Sequence, residues 1–249
     1  MIDDYTQDYL LDKRVVIFQP LNGYRASTDA VLLSAMVESV KNAKILDVGS
    51  GTGAISLCLA ERLKNNNVKI DGLEFQERLA ELSNMSAEKN GFAFLKFYNR
   101  DIKNKETAKE FLPCSYDVVV TNPPYSDHDM PSPNKSKATA HNLSKMNLSQ
   151  WLNFCLKMAK PFGKIYMVNR VEALPVICME FAEKAGNIKI LPIYSKKDQK
   201  AKRVIVCAQK DSKAPCEILP PLIVHSADGS YTEKAENILR KNMAISDCL

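Results

Sequence analysis

Short apolar runs alternate along this chain with longer stretches that carry an apolar residue every third or fourth position, the pattern of strands alternating with amphipathic helices. Runs at 45–48, 68–73, 94–98 and 117–120 read as strands. Between them, 54–64 and 76–90 read as helices, the second stopped by Gly91 just past its last turn. Upstream, 15–18 reads as a short strand and 20–23 as a turn. A helix over 30–40 follows, capped by Thr28 or Asp29, with Val31, Leu32, Ala35, Met36 and Val40 on one face. Downstream, 151–159 and 171–185 read as helices, and 164–168, 188–194 and 204–209 as strands. An apolar segment at 220–225 and a short helix at 233–241 close the chain. Strand–helix alternation of this kind predicts an α/β fold with a mostly parallel sheet covered on both faces. One domain over 1–249 is expected, with 1–26 flanking a core at 27–249.

Two places break the pattern where a strand ends, and both carry chemistry. The first is I-L-D-V-G-S-G-T-G, in which Asp47 sits inside a strand and Gly49, Gly51 and Gly53 open a helix. Glycine lets the backbone turn tightly and lets a ligand approach it closely, and the following helix aims free N–H groups at the same crevice. The spacing is G-x-G-x-G, which is neither the dinucleotide fingerprint nor a phosphate-gripping P-loop, so a nicotinamide-dependent oxidoreductase is disfavoured. Glu74 ends the next strand, roughly 20 residues past the turn, where a carboxylate can accept both hydroxyls of a ribose. Asp101 and Ile102 follow the third strand and could meet the amino group and ring of an adenine; Asp101 serves equally well as a helix N-cap on spacing alone.

The second break is D-V-V-V-T-N-P-P-Y, a fully apolar strand running into two prolines. Proline fixes φ and lacks an N–H, so Asn122, Pro123, Pro124 and Tyr125 form a rigid tip at the carboxyl end of a central strand. The Asn122 amide oxygen and the Pro123 carbonyl are two acceptors beside the aromatic face of Tyr125. That set suits a planar amine: adenine, guanine or a side-chain amide. Residues 126–147, with His128, Asp129, Lys135, Lys137 and Lys145, read as a mobile polar loop beside this tip. The single tryptophan, Trp151, reads as core.

D-V-G-S-G-T-G, Glu74, Asp101-Ile102 and N-P-P-Y together resemble the class I S-adenosylmethionine-dependent methyltransferases, and N-P-P-Y resembles the branch that methylates amino nitrogens. G-Y-R-A-S-T-D-A-V-L-L, A-K-R-V-I-V and P-P-L-I-V-H-S-A-D-G-S-Y-T resemble, more narrowly, the bacterial adenine N6-methyltransferases acting at position 37 of a valine tRNA. Asn142 stands where many relatives have Glu, and Phe162-Gly163 replaces the usual Gly-Gly. The resemblance implies a Rossmann-like fold: a mostly parallel seven-stranded sheet, helices on both faces, and an antiparallel C-terminal edge strand. It implies that Asn122, Pro123, Pro124 and Tyr125 are catalytic. It implies further that Thr28, Asp47, Gly49, Ser50, Gly51 and Gly53 line a pocket for S-adenosyl-L-methionine, with Glu74, Phe75, Asp101, Ile102 and Asn122. S-adenosyl-L-homocysteine is then the product and tRNA the partner.

Charge and cysteine content add bounds. A net charge of +5 permits a polyanionic partner. The run at 195–203 supplies Lys196, Lys197, Lys200, Lys202 and Arg203 as candidates for RNA contact, against the alternative of a plain solvated loop. Seven cysteines without a C-x-x-C pair predict no disulfide framework and no metal site, as expected for a reducing cytoplasm. The acidic start M-I-D-D-Y-T-Q-D does not resemble a secretory signal, and no apolar run approaches the roughly 20 residues that cross a bilayer. The expectation is a cytoplasmic monomer that methylates tRNA. The competing readings are methylation of an rRNA or DNA base, methylation of a protein glutamine amide, and a non-catalytic RNA-binding module.

Overall fold

The structure, a computed structural model, describes residues 4–124 and 147–248. A hairpin of β1 (Tyr5–Leu10) and β2 (Val15–Pro20) precedes α1 (Thr28–Met36). The central run is β3 (Lys44–Val48), α2 (Ala54–Leu63), β4 (Lys69–Glu74), α3 (Glu77–Lys89), β5 (Leu95–Asn99), α4 (Lys105–Glu110) and β6 (Tyr116–Thr121). Then come α5 (Leu148–Met158), β7 (Ala159–Arg170), a single 3-10 turn, α6 (Leu174–Ala182), β8 (Ala185–Lys196) and β9 (Arg203–Lys210). The short strands β10 (Glu217–Ile218) and β11 (Leu222–His225) and the helix α7 (Glu233–Leu239) follow.

The strand order is β5-β4-β3-β6-β7-β9-β8, with β10 and β11 both pairing the outer edge of β8. Side chains alternate across the strands, so each face needs its own cover. Val118 and Val120 of β6 pack with α1, α2 and α7, whereas Val119 packs with α5 and α6. This is the doubly covered α/β sheet that the alternation predicts.

Two details differ from the expectation. The antiparallel strand, β9, is not at the edge: it lies between β7 and β8 and is antiparallel to both. Its residues are buried on both faces, Val204 and Val206 on one and Ile205 and Cys207 on the other, and such a strand requires neighbours on either side. The seven-stranded sheet is also extended by β10 and β11. The other difference is α1, which starts at Thr28 and stops at Met36. The guanidinium of Arg62 donates to the carbonyls of Ser34, Ala35 and Val37 and so satisfies the helix end four residues early.

The parallel strands β3, β4, β5 and β6 end on one side of the sheet, and the glycine turn and the Asn122 tip leave from adjacent strands, β3 and β6, in register Val48 to Thr121. No helix among the described residues is long and apolar enough to cross a membrane.

Candidate functional site

β3 ends at Val48 and the backbone turns through Gly49, Gly51 and Gly53, all at positive φ, before α2 begins. The amides of Gly49 and Ser50 both donate to the Leu73 carbonyl at 2.9 Å, which holds the turn against the end of β4. The Gly51 amide donates to Glu74 Oε2 at 2.8 Å, and the Gln76 amide donates to Oε1 at 2.9 Å. Oε1 also accepts from the Gln76 side-chain amide at 3.4 Å, whereas Oε2 is fixed by the one backbone bond and keeps a lone pair for another donor. All three glycines are required by space as well as by φ: a Cβ on Gly49 would lie 2.7 Å from Trp151 Cη2. A Cβ on Gly51 would lie 2.8 Å from Tyr24 Cε1, and one on Gly53 would lie 2.6 Å from Phe97 Cζ.

The crevice beside this turn is acidic and partly unpaired. Asp47 is fully buried, and burial pushes its pKa to about 7. Its Oδ2 accepts from Ser56 Oγ at 2.7 Å, while Oδ1 has no partner among the described residues. Ser50 Oγ and Thr52 Oγ1 are buried and unpartnered in the same way. Burial also raises the pKa of Glu74, against the pull of its backbone donors. Burial, then the carboxylates of Asp47, Glu74 and Asp29, push the Tyr24 phenol up to about 12, so it stays protonated. A buried polar atom without a partner is costly, and three of them on or next to one glycine turn, with the Glu74 carboxylate alongside, fit a ligand with donors and positive charge. The amino, ribosyl and sulfonium groups of S-adenosylmethionine meet that description.

The tip at the end of β6 is tethered to the turn. Thr121 Oγ1 donates to the Val48 carbonyl at 2.8 Å and accepts from the indole Nε1 of Trp151 at 2.8 Å. Trp151 is buried, as its place on the apolar face of α5 predicts. Asn122 is half-buried, Pro123 buried and Pro124 exposed. Tyr125 and the loop expected over 126–147 lie outside the described residues except for Asn147, which forms a capping box with Gln150 at the start of α5.

The remaining candidates are distributed unevenly around this centre. Phe75 is half-buried after Glu74, and its carbonyl accepts from Asn99 at 2.8 Å. Asp101 is exposed beyond β5, where Oδ1 accepts the Lys103 amide at 2.9 Å, and Ile102 is half-buried against the α5–α6 side of the core. Asp101 is not a helix cap: Asn104 caps α4, by accepting from the Glu106 amide. Thr28 opens α1 from an exposed position, and Asp29 beside it pairs with Arg203 at 3.1 Å. Lys197, Lys200 and Lys202 are exposed and Lys196 is half-buried, all at the far edge of the sheet beyond β7. Sequence reasoning assigned no role to Tyr24 or Thr121. Neither belongs to a periodic pattern; the only signal was the place of Thr121 between an apolar strand and a double proline.

The sequence model of the methyltransferase domain family matches residues 39–242, a span that holds both the glycine turn and the Asn122 tip. Relatives from Dyadobacter fermentans and Pedobacter heparinus, each named tRNA1(Val) (adenine(37)-N6)-methyltransferase, are each 28% identical over 87% of this chain and 89% of their own length. The solved structure of a predicted O-methyltransferase, protein Atu636 from Agrobacterium tumefaciens, overlays with a TM-score of 0.72 at 21% identity. That overlay covers 87% of this chain and 97% of the other, and it establishes a shared fold. This chain therefore belongs to the methyltransferase domain family.

Proposed function

We propose that the protein transfers a methyl group from S-adenosylmethionine to the N6 amine of an adenine in tRNA, at position 37 of a valine tRNA, and that it does so as a cytoplasmic monomer. The observation that supports this reading is the tether between β3 and β6, which joins the strand end leading into Asn122 and Pro123 to the strand end leading into the glycine turn. The names of the two relatives supply the substrate.

Bound S-adenosylmethionine supplies an electrophilic methyl group on a sulfonium. The residues that would hold it are Asp47, Ser50 and Thr52 at the amino-acid end, Glu74 at the ribose, and Phe75, Asp101 and Ile102 around the adenine. Asn122 and the Pro123 carbonyl would accept the two N–H bonds of the substrate amine. An adenine amine is a poor nucleophile because its lone pair is delocalised into the ring. Accepting both N–H bonds favours a pyramidal nitrogen and stabilises the positive charge that develops on it. No strong base is needed before transfer: as the N–C bond forms, the C–S bond breaks to give S-adenosylhomocysteine, and the methylated nitrogen loses its proton to solvent afterwards. Pro123 and Pro124 fix the angle at which the acceptors are presented. Tyr125 would stack on the base, worth about 1–3 kcal/mol. A base in an unpaired loop leaves its stack at least cost, which favours an anticodon-loop target.

The test is transfer of labelled methyl to unmodified bulk tRNA, followed by digestion to nucleosides. Label should appear as N6-methyladenosine. Asn122→Ala should lower turnover by more than 100-fold with cofactor binding moved less than about threefold. Label in protein rather than tRNA would replace this reading with the glutamine-amide one. Binding of tRNA with no label in any acceptor would replace it with a non-catalytic module.

A further inference from the structure

The 226–231 turn takes no part in the site described above, yet it lies on the same side of the sheet. β11 runs parallel to β8, with His225 opposite Lys196, and both strands end where β6 and β7 end. The Lys196 ammonium donates to the Ala227 carbonyl at 3.0 Å, which joins the β8–β9 connection to this turn. The turn is internally braced: the Ser226 amide donates to the Ser230 carbonyl at 2.9 Å, and Thr232 Oγ1 donates to the Ile223 carbonyl at 2.7 Å. Across its base the ring of His225 stacks on that of Tyr231, with centroids 5.1 Å apart and planes 18° apart. Both rings are half-buried. Lys197, Lys200 and Lys202 stand exposed next to it. Arg203 is held by Asp29, so the three exposed lysines set the charge here, opposed by Asp198 and Asp228.

We propose that these two connections form a single RNA-docking surface, in which the His225–Tyr231 stack is a platform for a nucleobase and Lys197, Lys200 and Lys202 contact the phosphates on either side of it. The inference rests on the tRNA reading above and adds where the RNA is gripped. Positive charge beside a planar aromatic pair is the chemistry that binds unpaired nucleic acid with little regard to sequence. Four strand spacings separate β11 from β6, which places this surface roughly 19 Å from the Asn122 tip. A base held there is not the base being methylated. The surface grips flanking nucleotides and sets the direction in which the strand enters the site.

The experiment measures binding of unmodified tRNA over a salt series, for the full-length protein. Lys197→Ala/Lys200→Ala/Lys202→Ala should reduce the slope of log K against log salt by about 2, the release expected from three phosphate contacts on a single strand. Tyr231→Ala should weaken binding about tenfold with the slope unchanged, and Tyr231→Phe, which keeps the stack, should restore it. S-adenosylmethionine affinity in each variant reports that the core is folded. An unchanged slope in the lysine triple, or equal loss in Tyr231→Ala and Tyr231→Phe, overturns the surface. A wild-type protein that binds the cofactor but neither binds nor methylates tRNA overturns the substrate reading instead. Binding of an acidic protein in place of RNA, lost in the same lysine triple, overturns the assignment to nucleic acid.

Discussion

Thr121 carries two buried hydrogen bonds with one hydroxyl, and replacing it with valine removes both without changing the side chain's shape. The hydroxyl is inaccessible to solvent. Its loss strips the Val48 carbonyl of a donor and the Trp151 indole N–H of its only acceptor among the described residues, each at 2.8 Å. A lost hydrogen bond costs about 1 kcal/mol and a buried donor left without a partner about 1–3 kcal/mol, so Thr121→Val should destabilise the protein by about 2–4 kcal/mol. Thr121→Ser keeps the hydroxyl and gives up one methyl, at about 1 kcal/mol. Urea unfolding at constant m measures both. A double-mutant cycle with Trp151→Phe isolates the polar part. Once the indole N–H is gone, Thr121→Val has no donor left to orphan and should cost only about 1 kcal/mol, a coupling of about 1–3 kcal/mol. Additive free energies in that cycle, or equal costs for valine and serine, would refute the tether. Because the tether joins the strand ends that carry Gly49 and Asn122, Thr121→Val should also lower kcat.

Other outcomes follow from the same site. Gly53→Ala meets both a positive φ and a Cβ position 2.6 Å from Phe97, and urea unfolding should show a loss of about 2–4 kcal/mol; Gly91→Ala, at similar φ with nothing within 4 Å, should lose only about 1 kcal/mol. Burial raises the folded-state pKa of Asp47 from 3.8 to about 7, so the folded protein holds this proton more tightly than the unfolded chain. Stability contributed by the neutral carboxyl is therefore present at low pH and declines as pH rises from about 4 to about 7. A cationic ligand favours the ionised form, so S-adenosylmethionine affinity measured by calorimetry should rise between pH 6 and pH 8; Asp47→Asn should flatten that profile. Glu74→Gln replaces an acceptor oxygen with a donor facing the Gly51 or Gln76 amide, and should weaken cofactor binding at least tenfold by the same measurement.

The parts of this protein that were legible in its sequence are those where local chemistry interrupts a periodic pattern. Gly49, Gly51 and Gly53 break a strand into a turn, and Pro123 and Pro124 break another, and both breaks fall at the carboxyl ends of strands, where α/β sheets bind ligands. What escaped is decided by partners far along the chain. β1 alternates half-buried and exposed residues and has no apolar run; its partner β2 is fastened to α3 by the side chains of Asn90 and Ser86 on the Val16 and Phe18 amides. The interior place of β9 is a property of strand order, which periodicity does not encode, although its two apolar faces are consistent only with burial between neighbours. Arg62 ends α1 from 25 or more residues away. Tyr24 reaches the glycine turn from a connection with no periodic signal, and its ring fills the space above Gly51. Apart from β9, in each case a side chain satisfies or blocks a backbone position on another element. The glycines and prolines say where the site is; these long-range contacts determine which glycines are indispensable and how firmly the Asn122 tip is held beside them.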